Sequence, residues 1–128
     1  VRAKWISPLG ALTAAGVPVA VHSDAPLAPP YPLRAAGVHI TRATREGSAY
    51  EAEMALTPYE ALDAITLDAA RVLGLEAEIG SIDPGKRADF TVLGANPLET
   101  AGADWESIPV WGVVLDGVKH PLEEQVTE

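Results

Sequence analysis

The sequence predicts an α/β fold, with an α/β layer over residues 1–78 and a small β unit over residues 79–128. Three observations carry that prediction. A capped helix, a short link and an apolar strand follow one another in "SPLGALTAAGVPVAV", as in an α/β repeat. The strongest helical signal lies in "LTPYEALDAITLDAARVLG". Beyond it the pattern changes to short apolar runs punctuated by Asp-Pro-Gly and Asp-Gly turns.

The elements can be justified in order. In the first helix Ser7 is the expected cap, Pro8 suits the first turn, and Gly16 suits the left-handed position past the end. "VPVAV" is continuously apolar and rich in β-branched residues, as a strand buried on both faces should be. It runs into His22-Ser23-Asp24 and a proline-rich loop, which is how an active-site strand commonly finishes. A helix is expected from about Leu33 to Arg45, weakened by Gly37 and by β-branched residues, and "GSAYEAEMA" reads as loop. In the next helix Thr57 is the cap, Pro58 the first helical residue and Glu60 the reciprocal partner of a capping box. Its apolar stripe is Ala61, Leu62, Ile65, Ala69, Val72 and Leu73, and Gly74 ends it. Asp83-Pro84-Gly85-Lys86 fits a type II turn, "ADFTVL" a strand, and "IPVWGVVLDGVKH" a hairpin whose Asp116-Gly117 makes a type I′ turn. The acidic tail "LEEQVTE" is expected to fray.

Composition narrows the function. A formal net charge of -9 repels phosphate backbones, and no Lys/Arg cluster offsets it, so nucleic acid is not an expected partner. There is no cysteine, which excludes disulfides and thiolate sites. No run of about 18 apolar residues is present, so no helical membrane span is expected. The N-terminus lacks the apolar core of a signal peptide, and a cytoplasmic location is the expectation. The single methionine is Met54, so Val1 is not expected to begin a reading frame and the chain reads as a fragment.

"HSDAP", "LTPYEALDAITLDAARVLGLEAEIGSIDPGKRADFTVL" and "PVWGVVLDGV", in that order, resemble the C-terminal third of the amidohydrolase superfamily, closest to amidohydrolase family 3. The resemblance implies a C-terminal fragment of a (β/α)8 metal-dependent hydrolase barrel plus the C-terminal half of its small β-sandwich. It implies that "VPVAVHSD" is the eighth barrel strand, with chemistry at its C-terminal end. By the same analogy the Asp24 carboxylate contacts the metal or accepts a proton from its bound water, tasks that suit a hard anionic oxygen ligand. The implied substrate of the complete enzyme is a small amide or cyclic amide, and the implied cofactor is a divalent metal such as zinc. The family also requires a His-x-His pair and further ligands. This chain has only His22, His39 and His120, with no such pair.

Alternatives stand beside each candidate. Asp24 also fits a turn former before Ala-Pro. His22 shares a strand face with Asp24 and fits either a second ligand or substrate contact, or a hydrogen-bonded histidine lining the barrel. Arg42 and Arg45 fit recognition of a substrate carboxylate or carbonyl, or a solvated helix face, and His39 is open in the same way. The D-P-G-K-R-A-D segment reads as structural, and Trp105 and Trp111 as packing beside the hairpin. Two functions compete: an amidohydrolase portion that is inactive alone because ligands are missing, and a non-catalytic interaction module. Open strand edges and bare apolar faces predict a homo-oligomer or a complementary barrel fragment as partner.

Overall fold

A computed structural model describes residues 5–44 and 46–122. Helix α1 (Leu9–Ala14) leads through an extended stretch to α2 (Pro32–Thr41). A 3₁₀ turn at Ala52–Met54 precedes α3 (Pro58–Asp63) and α4 (Leu67–Leu73). Strand β1 (Phe90–Leu93) is followed by 3₁₀ segments at Pro97–Glu99 and Gly102–Ser107, then β2 (Val110–Leu115) and β3 (Val118–Pro121). The three strands form one antiparallel sheet in the order β1-β2-β3, with Phe90 opposite Val114 and Val114 opposite Lys119.

The chain's local chemistry fixes most of these elements. The Thr57 N–H donates to Glu60 Oε2 at 2.8 Å while the Glu60 N–H donates to Thr57 Oγ1 at 3.3 Å, so the capping box is closed. The Lys86 N–H donates to the Asp83 carbonyl at 3.2 Å, closing the expected turn with Gly85 at φ 92°. Asp116 and Gly117 both have positive φ, 51° and 79°, as a type I′ hairpin turn requires.

Four expectations need correction. Ser7 does not cap α1: its φ is 47°, Pro8 occupies the cap position, and no side chain caps that end. The second helix ends at Thr41 rather than near Arg45, because Arg42 turns left-handed at φ 50°. The long helix over residues 57–73 is two helices, interrupted where Thr66 takes φ -132° and ψ -95°. There the Thr66 hydroxyl donates to the Leu62 carbonyl at 2.7 Å, a back-bond that competes with the helix ladder next to β-branched Ile65. After the break the apolar stripe turns outward, and Val72 and Leu73 are largely exposed. Finally, residues 17–21 carry no regular secondary structure, belong to no ladder and are not buried on both faces, with Val17 and Ala20 exposed. A strand needs a neighbour's backbone, and beyond a bond from the Val17 N–H back to the Leu12 carbonyl in α1 the contact found here is from the Val21 N–H to the Ala64 carbonyl at 3.2 Å. The frayed tail expected beyond residue 122 lies outside the described residues, as does Arg45.

The core gathers Val19, Ala36, Leu56, Ala61, Ala64, Trp105 and Ile108. Trp105 is fully buried, and its Nε1–H donates to the Thr100 carbonyl at 3.2 Å. It reaches this position because α2 and the 102–107 segment approach unusually closely. A Cβ on Gly37 would lie 2.5 Å from the Gly102 carbonyl oxygen, and one on Gly102 would lie 2.6 Å from Ile40 Cγ2. Gly37, which weakens α2 as a helix, is therefore what allows it to dock.

Candidate active site

Val19 and Val21 anchor the extended segment against the core, and the chain leaves that anchor at His22. Asp24 then takes φ 54°, a conformation that aspartate tolerates better than most residues. The Asp24 N–H donates to His22 Nδ1 at 3.0 Å. On the other side, the Leu27 N–H donates to the Asp24 carbonyl at 2.9 Å and closes a turn. Asp24 is exposed, and among the described residues its carboxylate has no hydrogen-bond or ion-pair partner. The segment thus presents one unencumbered carboxylate on a backbone fixed from both sides.

The other candidates lie apart from this pair or are engaged elsewhere. Arg42 Nε donates to the Tyr50 carbonyl at 2.7 Å, Nη1 to Ser7 at 2.7 Å and Nη2 to Ile6 at 2.8 Å. It ties the approach to α1 to the chain that follows α2. His39 is partly buried, and its carbonyl accepts from the Leu56 N–H at 3.0 Å. Burial, and secondarily the Arg42 guanidinium, holds the His39 imidazole below the usual histidine range. Trp111 is half exposed on β2, while Trp105 is core. Lys86 donates to Ser81 Oγ at 2.6 Å and Ser81 donates to Asp83 at 2.5 Å, so those polar side chains brace the turn.

The described residues do not fit a complete metal centre. No group of three or more His, Asp or Glu side chains comes together among them, whereas a catalytic zinc takes about three protein ligands. His22 Nδ1 is already occupied by an N–H, which leaves Asp24 as the single free carboxylate of the segment.

A second feature was not named from the sequence. An apolar groove of about 880 Å³ runs between α3, α4 and the sheet, lined by Leu62, Ile65, Leu73, Ile82, Phe90 and Leu115 among others. Ile82 and Leu73 are 85% and 70% exposed on its rim. The apolar stripe and the expectation of bare apolar faces pointed this way, but periodicity does not say that such faces border a groove.

The amidohydrolase family pattern matches residues 1–119, nearly the whole chain. The chain belongs to the amidohydrolase family. It is 33% identical over 111 residues to an N-substituted formamide deformylase of Arthrobacter pascens, covering 87% of this chain and 20% of that protein. It is 45% identical over 92 residues to an imidazolonepropionase of Cereibacter sphaeroides, covering 71% of this chain and 21% of that protein. The solved amidohydrolase of Thermotoga maritima MSB8 superposes with a TM-score of 0.65 at 27% identity, over 88% of this chain and 25% of its own. This amidohydrolase chain therefore spans about a fifth to a quarter of the length of these relatives. Its small α/β body corresponds to one part of a larger hydrolase.

Proposed function

We propose that this chain is the C-terminal portion of a metal-dependent amidohydrolase that hydrolyses C–N bonds of non-peptide amides or cyclic amides. In this reading residues 1–78 carry the last strand and helices of a (β/α)8 barrel, and residues 79–128 carry part of a small β-sandwich. The extended stretch 17–23 is the strand that ends at the active site. It lacks a ladder here because parallel neighbours in a barrel come from other repeats. Asp24 is the carboxylate the segment delivers, and its role is to accept the proton of the attacking water. The metal, zinc in this proposal, is held mainly by residues of the longer protein. Without them the 128 residues are expected to be inactive.

The observation that carries this reading is one free, backbone-fixed carboxylate at the end of a segment that matches an amidohydrolase over residues 1–119. The test compares the isolated chain with an active amidohydrolase of the relatives' length that contains this segment, using a panel of amides, cyclic amides and N-formyl compounds. Asp24→Asn in the longer protein is expected to lower kcat at least about a hundredfold. Turnover by the isolated chain at the longer protein's rate would refute the proposal.

The apolar groove favours a second role, in association. Its rim exposes two large apolar side chains, Leu73 and Ile82, beside an apolar lining, which suits it to being covered by another chain. Its occupant in this reading is the remainder of the barrel protein, with a second copy of the chain taking its place when the remainder is absent. Light scattering on dilute purified chain is expected to give a homo-oligomer, and a well-behaved monomer argues against it.

A further inference from the structure

Among the described residues, His22 is the side chain that hydrogen-bonds Asp24, and it does so at the backbone. A nitrogen that accepts a hydrogen bond carries no proton, so Nδ1 is the bare nitrogen and the neutral ring carries its proton on Nε2. The contact closes a small ring from a side chain to the N–H two residues on, the arrangement that Asn and Asp make in Asx-turns. It also constrains what His22 can do. Binding a metal through Nε2 in the neutral ring would move the proton to Nδ1 and break the bond to Asp24. His22 can therefore hold Asp24 or act as a metal ligand, but not both at once.

We infer that His22 is a positioning residue: its Nδ1 holds the Asp24 backbone in the left-handed conformation and so sets where the carboxylate leaves the chain. This rests on the proposed role of Asp24. The Leu27 N–H fixes the carbonyl side of the same residue, at 2.9 Å, and His22 fixes the amide side, at 3.0 Å. Loss of the His22 bond leaves a non-glycine residue at φ 54° with support from one side only. The backbone then relaxes toward negative φ and carries the carboxylate with it. Displacement of a catalytic group by about 1 Å costs roughly a hundredfold in rate.

The hydrogen bond is testable without any enzymatic activity. In the ¹⁵N-labelled chain at neutral pH, a scalar coupling across the N–H···N bond should join the Asp24 amide to His22 Nδ1. The imidazole spectrum should show the Nε2–H tautomer. Absence of the coupling, or an Nδ1–H tautomer, overturns the inference with no variant needed. Two substitutions then separate positioning from packing. His22→Phe keeps a ring and removes the acceptor, while His22→Asn keeps an acceptor for the N–H two residues on. In an active amidohydrolase carrying this segment, His22→Phe is expected to lower kcat roughly a hundredfold at nearly unchanged KM. His22→Asn is expected to recover most of that loss, and equal losses in the two variants refute positioning. If Asp24→Asn keeps full activity while the coupling is present, the role assigned to Asp24 is what has failed.

Discussion

Gly37→Ala provides the sharpest test of how the core is assembled. Helix propensity alone favours alanine in the middle of α2 by about 1 kcal/mol. Sterics oppose it: the new Cβ would stand 2.5 Å from the Gly102 carbonyl oxygen, and that atom is backbone rather than the end of a flexible side chain. Overpacking of a closed core costs about 1–3 kcal/mol, and a rigid obstacle belongs at the upper end of that range. The expected net result is a loss of about 1–2 kcal/mol, so sterics outweighs propensity. Urea unfolding followed by tryptophan fluorescence measures it, with fully buried Trp105 as a reporter that sits on the disturbed contact. Val38→Ala, one residue along and 46% exposed, is the control and should stay within about 0.5 kcal/mol. Gly102→Ala meets a different obstacle, Ile40 Cγ2 at 2.6 Å, which can be removed. The double variant with Ile40→Ala should therefore be less destabilised than the sum of the singles by about 1 kcal/mol. An unchanged or raised stability for Gly37→Ala, or strict additivity at Gly102 and Ile40, refutes the close approach of α2 and the 102–107 segment.

Other consequences are equally direct. Thr57→Ala removes the hydroxyl half of the capping box and should cost about 1 kcal/mol at neutral pH. The Thr57 backbone N–H, and after it the Thr57 hydroxyl that donates to Glu60 Oε2 at 2.8 Å, hold the Glu60 carboxyl below its ordinary value of 4.5; the variant loses the hydroxyl's share, which is present above that pH and lost as pH falls through the folded-state pKa. The gap between the two proteins in urea should accordingly narrow at pH 3 relative to pH 7. The His39 pKa is lowered from 6.5, so the unfolded chain binds its proton first. Stability should fall as the pH drops below about 6.5, and His39→Gln should flatten that part of the urea-midpoint profile. Arg42→Met keeps the aliphatic stem but gives up three bonds to carbonyls, with an expected loss of about 1–3 kcal/mol. Faster amide exchange in α1 should accompany it, and unchanged exchange there would show that Arg42 does not anchor that end of the chain.

Most features that depend on neighbouring residues alone were legible in the sequence, with the Ser7 cap of α1 as an exception. Thr57-Pro58 with Glu60, Asp83 to Lys86, and Asp116-Gly117 each form the element their chemistry implies, because cap and turn preferences are satisfied within a few residues. Features set by distant partners were less legible. Gly37 reads as a flaw in a helix until Gly102 is seen against it. Residues 17–21 have a strand's composition but not the neighbours that make a ladder. The break at Thr66 is local, four residues from its partner, yet it turns on one hydroxyl choosing the Leu62 carbonyl, a choice periodicity does not encode. At the candidate site, Asp24 could be named from its motif and His22 from its spacing. Their hydrogen bond could not, because a strand geometry would have set them two residues apart on one face, whereas Asp24 turns left-handed.

The sheet has two margins of different character. β3 carries Lys119 and ends at Pro121, which has no N–H to offer, so that margin repels a newcomer. β1, with Phe90, Thr91, Val92 and Leu93, has no such guard and borders the apolar groove. Among the described residues this leaves one receptive margin, and strand pairing through one margin alone does not propagate. Two copies meeting through β1 around a twofold axis use up both receptive margins and stop. Association through β1 is therefore expected to stop at two copies, and substitution of Lys119 and Pro121 together is expected to open the second margin.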